Sequence, residues 1–86
     1  METEINEVVP VWVFFDSSAI LGPIFPIAMN WRRRLIKFEK IIFTSSKKIG
    51  VIKFVDIICQ STGANYELEY NSDNNIWKLK RIMPKE

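Results

Sequence analysis

Aromatic and basic side chains occur together in the middle of the chain, and this mixture could bind nucleic acid. Arginine and lysine neutralise phosphate groups, while flat aromatic rings stack on exposed bases. The sequence therefore offers a candidate binding set for single-stranded nucleic acid or for another binding partner. Its members are Trp31, Arg32, Arg33, Arg34, Lys37, Lys47 and Lys48.

The same residues also have a purely structural interpretation. Trp31 would then belong to the core, and the cations would form an ordinary solvated face. The formal net charge of the chain is only +2, which is small for a protein that attracts nucleic acid through its overall charge. The composition favours the structural interpretation, and the sequence leaves both open.

Side chains that could catalyse a reaction are scarce. The chain has no histidine, and its one cysteine, Cys59, lies in the apolar run VDIICQ, where a thiol is inert. Asp56 is the one carboxylate in that run, but acid–base catalysis needs a second convergent group. Glycine-rich phosphate loops and metal-binding motifs are also missing from the sequence. We therefore expect a protein that is not an enzyme and that needs no cofactor or metal.

The clearest local pattern lies near the end of the chain, in the segment from Tyr66 to Ile82. Apolar and charged residues alternate on both sides of a polar loop at residues 71–75, which predicts a β-hairpin. Glu67 and Glu69 would then face Lys78 and Lys80 across the two strands, and such pairs stabilise a sheet. We interpret this hairpin as scaffold.

The remaining segments also favour strands. VVPVWVFF (8–15) is β-branched and aromatic, and its proline suits an edge strand. Residues 24–31 and 51–60 predict further strands, and residues 44–48 predict a polar loop. The segment at 34–43 is ambiguous, because its apolar residues fit both helical spacing and strand alternation.

These segments predict an all-β fold in which five or six antiparallel strands form a strongly bent sheet or a small barrel of the SH3 or OB type. The alternative is an α+β fold with one helix near residues 34–43. A chain of 86 residues makes a single domain, with flexible tails expected at residues 1–6 and 83–86. The predicted core consists of Val11, Val13, Phe15, Ile27, Ile36, Phe38, Ile52, Phe54, Tyr66, Leu68, Trp77 and Leu79.

A membrane span is conceivable between Val8 and Trp31, since Asp16 is the one charged residue in that stretch. Pro10, Pro23 and Pro26 would interrupt a spanning helix. The acidic N-terminus also lacks the basic start of a signal peptide. We therefore expect a cytoplasmic protein that does not bind membranes.

The order of these motifs resembles a loose group of short, uncharacterised bacterial all-β proteins. Its features are a Val-rich strand, a proline, a tryptophan before a basic turn, a Tyr-x-Leu strand and a final strand that opens on tryptophan. Here the corresponding residues are Pro23 or Pro26, Trp31, Arg32 to Arg34, Tyr66, Leu68 and Trp77. The group usually has a glycine in the turn after the tryptophan, where this chain has arginines. The resemblance implies a compact antiparallel sheet or small barrel, and it implies no activity.

The functional expectation is a small binding module that contacts a protein partner, or a second copy of itself, through an exposed edge strand or apolar patch. The alternative is a small β-barrel that binds nucleic acid through the basic segment at 31–53.

Overall fold

The computed structural model describes residues 3–15 and 24–84, which form two antiparallel β-sheets. Eight strands follow one another along the chain: β1 (Thr3–Val8), β2 (Val11–Phe15), β3 (Ile24–Trp31), β4 (Arg34–Lys37), β5 (Lys40–Ile49), β6 (Ile52–Gln60), β7 (Ala64–Asn71) and β8 (Ile76–Pro84). The larger sheet has the order β1-β8-β7-β6-β5, and the smaller sheet has the order β2-β3-β4.

The all-β prediction is confirmed, and the alternative with a helix near residues 34–43 is wrong. That segment is divided between β4 and β5, and the described residues contain no helix, so none that could cross a membrane. The prediction of five or six strands is also wrong, since the described residues form eight. The strands form two sheets that are not closed as a barrel.

The higher strand count arises where the chain passes from one sheet to the other. At Val9 and Pro10 the first apolar run divides into β1 and β2. The Val9 N–H donates to the carbonyl of Trp77 in the larger sheet (3.0 Å), and the Pro10 carbonyl accepts the N–H of Asn30 in the smaller one (3.1 Å). We call this place the first corner.

The second corner lies at Phe38 and Glu39, between β4 and β5. The Phe38 N–H donates to the carbonyl of Ile27 in the smaller sheet (2.9 Å), and the Glu39 N–H donates to that of Gln60 in the larger sheet (2.7 Å). The buried hydroxyl of Ser61 donates to the Lys37 carbonyl (2.7 Å). These bonds satisfy backbone groups that a change of sheet would otherwise leave unpaired.

The core lies between the two sheets. Its fully buried side chains are Met29, Ile57, Cys59, Leu68 and Leu79. Four residues of the predicted core are buried, namely Ile36, Leu68, Trp77 and Leu79. The closing hairpin is confirmed, with Leu68 opposite Leu79 and Tyr70 opposite Trp77.

Two predicted core residues, Phe15 and Ile27, are exposed instead. Ile27 is an extra residue in β3, because Trp12 pairs with Ala28 while Val13 pairs with Pro26. Such a bulge changes which side chains face inward. The buried Pro26 therefore comes before the extra residue and the buried Met29 after it, while Ile27 itself is exposed.

The prediction of a loop at residues 44–48 is wrong as well, because this segment belongs to β5 and pairs with β6. The two strands are joined at Gly50 and Val51, and Gly50 has the positive φ (63°) that such a turn needs. Residues 3–6 and 83–84, predicted as flexible tails, are strand residues of β1 and β8. The remaining predicted tail residues, 1–2 and 85–86, lie outside the described residues.

The turn between β3 and β4 has unusual residues for its geometry. Trp31 pairs with Arg34, so Arg32 and Arg33 form the two-residue loop, and both have positive φ (53° and 66°). Loops of this geometry usually contain asparagine and glycine, because a Cβ atom makes positive φ unfavourable. The two arginines therefore hold a backbone conformation that costs stability.

Replacing Arg33 with glycine should stabilise the fold. Glycine removes the cost of the left-handed conformation but adds freedom to the unfolded chain, so we expect a net gain of about 0.5–1 kcal/mol in the free energy of unfolding. Chemical denaturation followed by circular dichroism measures it. The control is Arg34→Gly in β4, which should lose about 0.5–1 kcal/mol. A loss of stability in Arg33→Gly would contradict this interpretation of the turn.

Candidate functional site

Trp31 and Arg32, two members of the predicted binding set, form a cluster with Glu7 of β1. The Trp31 Nε1–H donates to Glu7 Oε2 (3.2 Å), and Arg32 Nη2 donates to Glu7 Oε1 (2.6 Å). The Arg32 guanidinium also lies 4.6 Å from the centre of the Trp31 ring. The cluster therefore ties the β3–β4 turn of the smaller sheet to β1 of the larger one.

These contacts give the cluster a structural role. The hydrogen bond from Arg32 lowers the pKa of the Glu7 carboxyl, and the bond from Trp31 acts in the same direction. Trp31 is half-buried and packs against the core, and its indole N–H already has an acceptor. The ring therefore differs from the freely exposed stacking platform that nucleic-acid binding requires.

The other predicted cations lie at two different hairpins. Arg33 occupies the β3–β4 turn, and Arg34 and Lys37 are exposed on β4. Lys47 and Lys48 lie near the far end of the β5–β6 hairpin, where Lys48 is directly opposite Lys53. No strand pairing brings the two groups of predicted site residues together in the described part of the chain.

Asp56, the carboxylate in the apolar run, faces outward from the larger sheet opposite Glu69. Partial burial raises the pKa of Asp56, and the negative charges of Glu67 and Glu69 act in the same direction. Its Oδ1 atom is buried and has no hydrogen-bond partner. These features describe a carboxylate whose charge is unfavourable in the folded state.

The neighbouring glutamates have basic partners across the hairpin. Glu69 forms an ion pair with Lys80 (3.6 Å), as the sequence predicts. Glu67 binds Arg81 rather than either of the predicted lysines, because β8 has an extra residue, Lys80, between its pairings with Glu67 and Leu68. Among the residues described, no group of three or more acidic, cysteine or histidine side chains could hold a metal ion.

Cys59 is fully buried, as the sequence predicts. Burial raises the pKa of its thiol to about 12. The thiolate is the reactive form of cysteine, so Cys59 is a packing residue.

Exposed apolar side chains also lie on the outside of the smaller sheet. We call this surface the aromatic face, and it consists of Trp12 and Phe14 of β2, Phe25 of β3 and Leu35 of β4. Trp12 and Phe14 are 53% and 54% exposed, and the rings of Phe14 and Phe25 are neighbours, with centres 6.4 Å apart. An exposed apolar patch of this kind is typical of an interaction surface.

Among the residues that the structure describes, no strand pairs with one side of β2, because β2 is the outermost described strand of its sheet. The Val9 N–H points to β8, and the Pro10 carbonyl points to β3. Because these directions alternate along a strand, the backbone groups of Val11, Val13 and Phe15 point away from β3. These three residues form the free edge of β2.

An apolar groove of about 800 Å³ runs beside this edge. It opens where β2 separates from β8 after the first corner. Phe15 and Val13 lie on its β2 side, and Ile76 and Trp77 lie on the opposite side. The few polar lining groups include Asn75, whose side-chain oxygen accepts a hydrogen bond from the Tyr70 hydroxyl. The groove is therefore suited to apolar side chains.

The free edge of β2 differs from the other sheet edges in its lack of charge. Among the strands described, β1, β4 and β5 are also outermost strands, and each has at least two charged residues. Charged side chains commonly protect an edge from pairing with another chain. Sequence reasoning identified Val8–Phe15 as an edge strand but missed its importance, although the absence of charge over those residues was a usable signal.

No family model, curated protein or solved structure matches the chain. The resemblance to short bacterial all-β proteins therefore stays a prediction.

Replacing Asp56 with asparagine should stabilise the protein at neutral pH. The raised pKa means that the folded state disfavours the ionised carboxyl, and this penalty is complete above the folded pKa. It disappears as the pH falls below the unfolded pKa of about 3.9. Thermal unfolding at about pH 7 and pH 3 should show a gain in Tm only at the higher pH.

The control for this change is Asp73→Asn, which removes an exposed carboxylate from the β7–β8 turn. It should leave Tm nearly unchanged at neutral pH. An equal gain from both substitutions would indicate a general effect of net charge and would contradict the assignment to Asp56.

Proposed function

We propose that the chain is a small non-enzymatic module that binds an extended protein segment along the free edge of β2. The observation that carries this proposal is the combination of an uncharged edge with an adjoining apolar groove. The neighbouring aromatic face supplies additional area for contact.

Recognition would use the backbone first. An extended segment that pairs with β2 satisfies the N–H and carbonyl groups of Val11, Val13 and Phe15, as in other proteins that bind peptides by adding a strand. Alternate side chains of the bound segment then point into the groove, toward Ile76 and Trp77, or outward beside Trp12 and Phe14. Affinity comes from both the main chain and the apolar contacts.

The surroundings also predict which segments are favoured. A charged side chain that entered the groove would lose its hydration without gaining a partner, since nearly all of the lining residues are apolar. The module should therefore prefer extended segments of β-branched and aromatic residues that have no charge in the paired part.

The nucleic-acid alternative has less support. Its candidate residues are divided between two hairpins, and Trp31 is engaged with Glu7. Salt dependence tests it, because phosphate contacts are strongest at low salt. Salt-sensitive binding of a single-stranded DNA oligonucleotide, lost when Lys47 and Lys48 are replaced with alanine, would favour this alternative over the proposal.

Selection from a phage-displayed library of random linear peptides tests the proposed function. Peptides enriched on the wild-type protein should be apolar and uncharged over the paired segment. Their affinity should fall at least about tenfold for the double variant Trp12→Ser and Phe14→Ser, because each serine removes an aromatic contact beside the paired strand.

A matched control changes apolar residues of similar exposure elsewhere. Phe43 and Ile49 on β5 are 52% and 59% exposed, so Phe43→Ser with Ile49→Ser removes comparable apolar surface. This variant should bind the selected peptides as the wild type does. Equal losses in both variants would contradict docking at β2, and so would a lack of enrichment by a wild type that is monomeric.

A further inference from the structure

We infer that the segment bound at β2 is the β2 strand of a second copy of this chain. This inference rests on the proposed function and adds the identity of the partner. Two β2 strands would pair antiparallel around a two-fold axis at Val13, and the two smaller sheets would become one sheet of six strands.

The backbone of β2 suits this symmetric arrangement. Val13 points its N–H and carbonyl toward the open side, so it can exchange two hydrogen bonds with Val13 of the partner subunit. The same register places Val11 opposite Phe15 of the partner subunit. The backbone groups of Val11, Val13 and Phe15 that point to the open side of one copy therefore pair with the same groups of the other copy.

The outward side chains are also complementary in this register. Trp12 comes to lie opposite Phe14 of the partner subunit, and these positions do not exchange hydrogen bonds, which brings their side chains close together. Phe14 already neighbours Phe25 within its own sheet. By symmetry the pairing would form two such Trp12–Phe14 contacts across the interface, and each would continue the contact between Phe14 and Phe25.

The groove beside β2 supplies further apolar surface that dimer formation would bury. Phe15 is 60% exposed although it lines the groove. In the dimer it would lie beside Val11 of the partner subunit, and the two grooves would be filled simultaneously. Association would thus cover surface that the single chain leaves in contact with water.

Charge distinguishes this edge from the other candidates for self-pairing. A symmetric pair of β1 strands would bring Glu4 and Glu7 close to their own copies. β4 and β5 also carry like charges, Arg34 and Lys37 on β4 and Lys47 and Lys48 on β5, which some symmetric registers would bring opposite each other. Like charges across paired strands are unfavourable. Among the edge strands described, β2 alone has no charged residue, so no symmetric register of β2 creates this repulsion.

Sedimentation equilibrium over a range of protein concentrations tests the inference, and two double variants test the register. The wild type should be largely dimeric at about 100 µM and should dissociate on dilution. Trp12→Lys with Phe14→Lys places lysines opposite lysines and should weaken the dimer at least about tenfold. Trp12→Lys with Phe14→Glu places each lysine opposite a glutamate and should restore association relative to the double lysine variant.

A cysteine at the axis provides an independent measurement. Val13→Cys should form a disulfide-linked dimer under mild oxidation, because opposite residues that exchange hydrogen bonds have Cα atoms about 5.5 Å apart, within disulfide range. The native Cys59 is buried and does not compete. The matched control is Ser45→Cys on the exposed β5 strand, which should remain largely unlinked.

The outcomes separate this inference from the proposed function. A wild type that is monomeric at about 100 µM but binds selected peptides through β2 would overturn the inference and leave the proposed function standing. A monomer that binds no peptides would overturn both. A dimer that is equally stable in the lysine–lysine and lysine–glutamate variants would overturn the β2 register, provided that circular dichroism shows both variants to be folded.

Discussion

Pro10 lies at the point where the first long extended segment leaves one sheet and joins the other. The Val9 N–H still bonds to Trp77 of β8, whereas the Pro10 carbonyl already bonds to Asn30 of β3. From this corner onward β2 pairs with β3, and none of the other described strands pairs with its second side. The free edge and the groove beside it both follow from this separation of β2 from β8.

Several contacts hold the two sheets in this arrangement. At the first corner the carbonyl of the buried Trp77 accepts the Val9 N–H, and within the larger sheet the Trp77 ring lies 4.8 Å from that of Tyr70, measured between centres. Beside the same corner, Glu7 binds both Trp31 at the end of β3 and Arg32 of the β3–β4 turn. Side chains that the sequence offers as a binding set therefore stabilise the packing of the sheets, while the exposed apolar residues of β2 remain available for binding.

The sequence predicts those parts of the fold in which local pattern and burial agree. In the closing hairpin, Leu68 and Leu79 alternate with charged residues, and both are fully buried. Prediction is poorer where the regular alternation is interrupted. The bulge at Ile27 depends on how β2 and β3 pair, and the corner at Phe38 depends on hydrogen bonds to distant residues, so neither can be derived from a local pattern. The candidate surface at β2 depends on which strands become outermost, which is a property of the whole topology.

Amide hydrogen exchange, measured by NMR over a range of protein concentrations, tests most directly whether the free edge of β2 accepts a strand from a second copy. The N–H groups of Val11, Val13 and Phe15 should become more protected as the concentration rises, because they point to the open side. The N–H of Phe14 points to β3, so its exchange should depend much less on protein concentration. Rapid exchange of Val11, Val13 and Phe15 at every concentration, with Phe14 protected throughout, would contradict pairing at this edge.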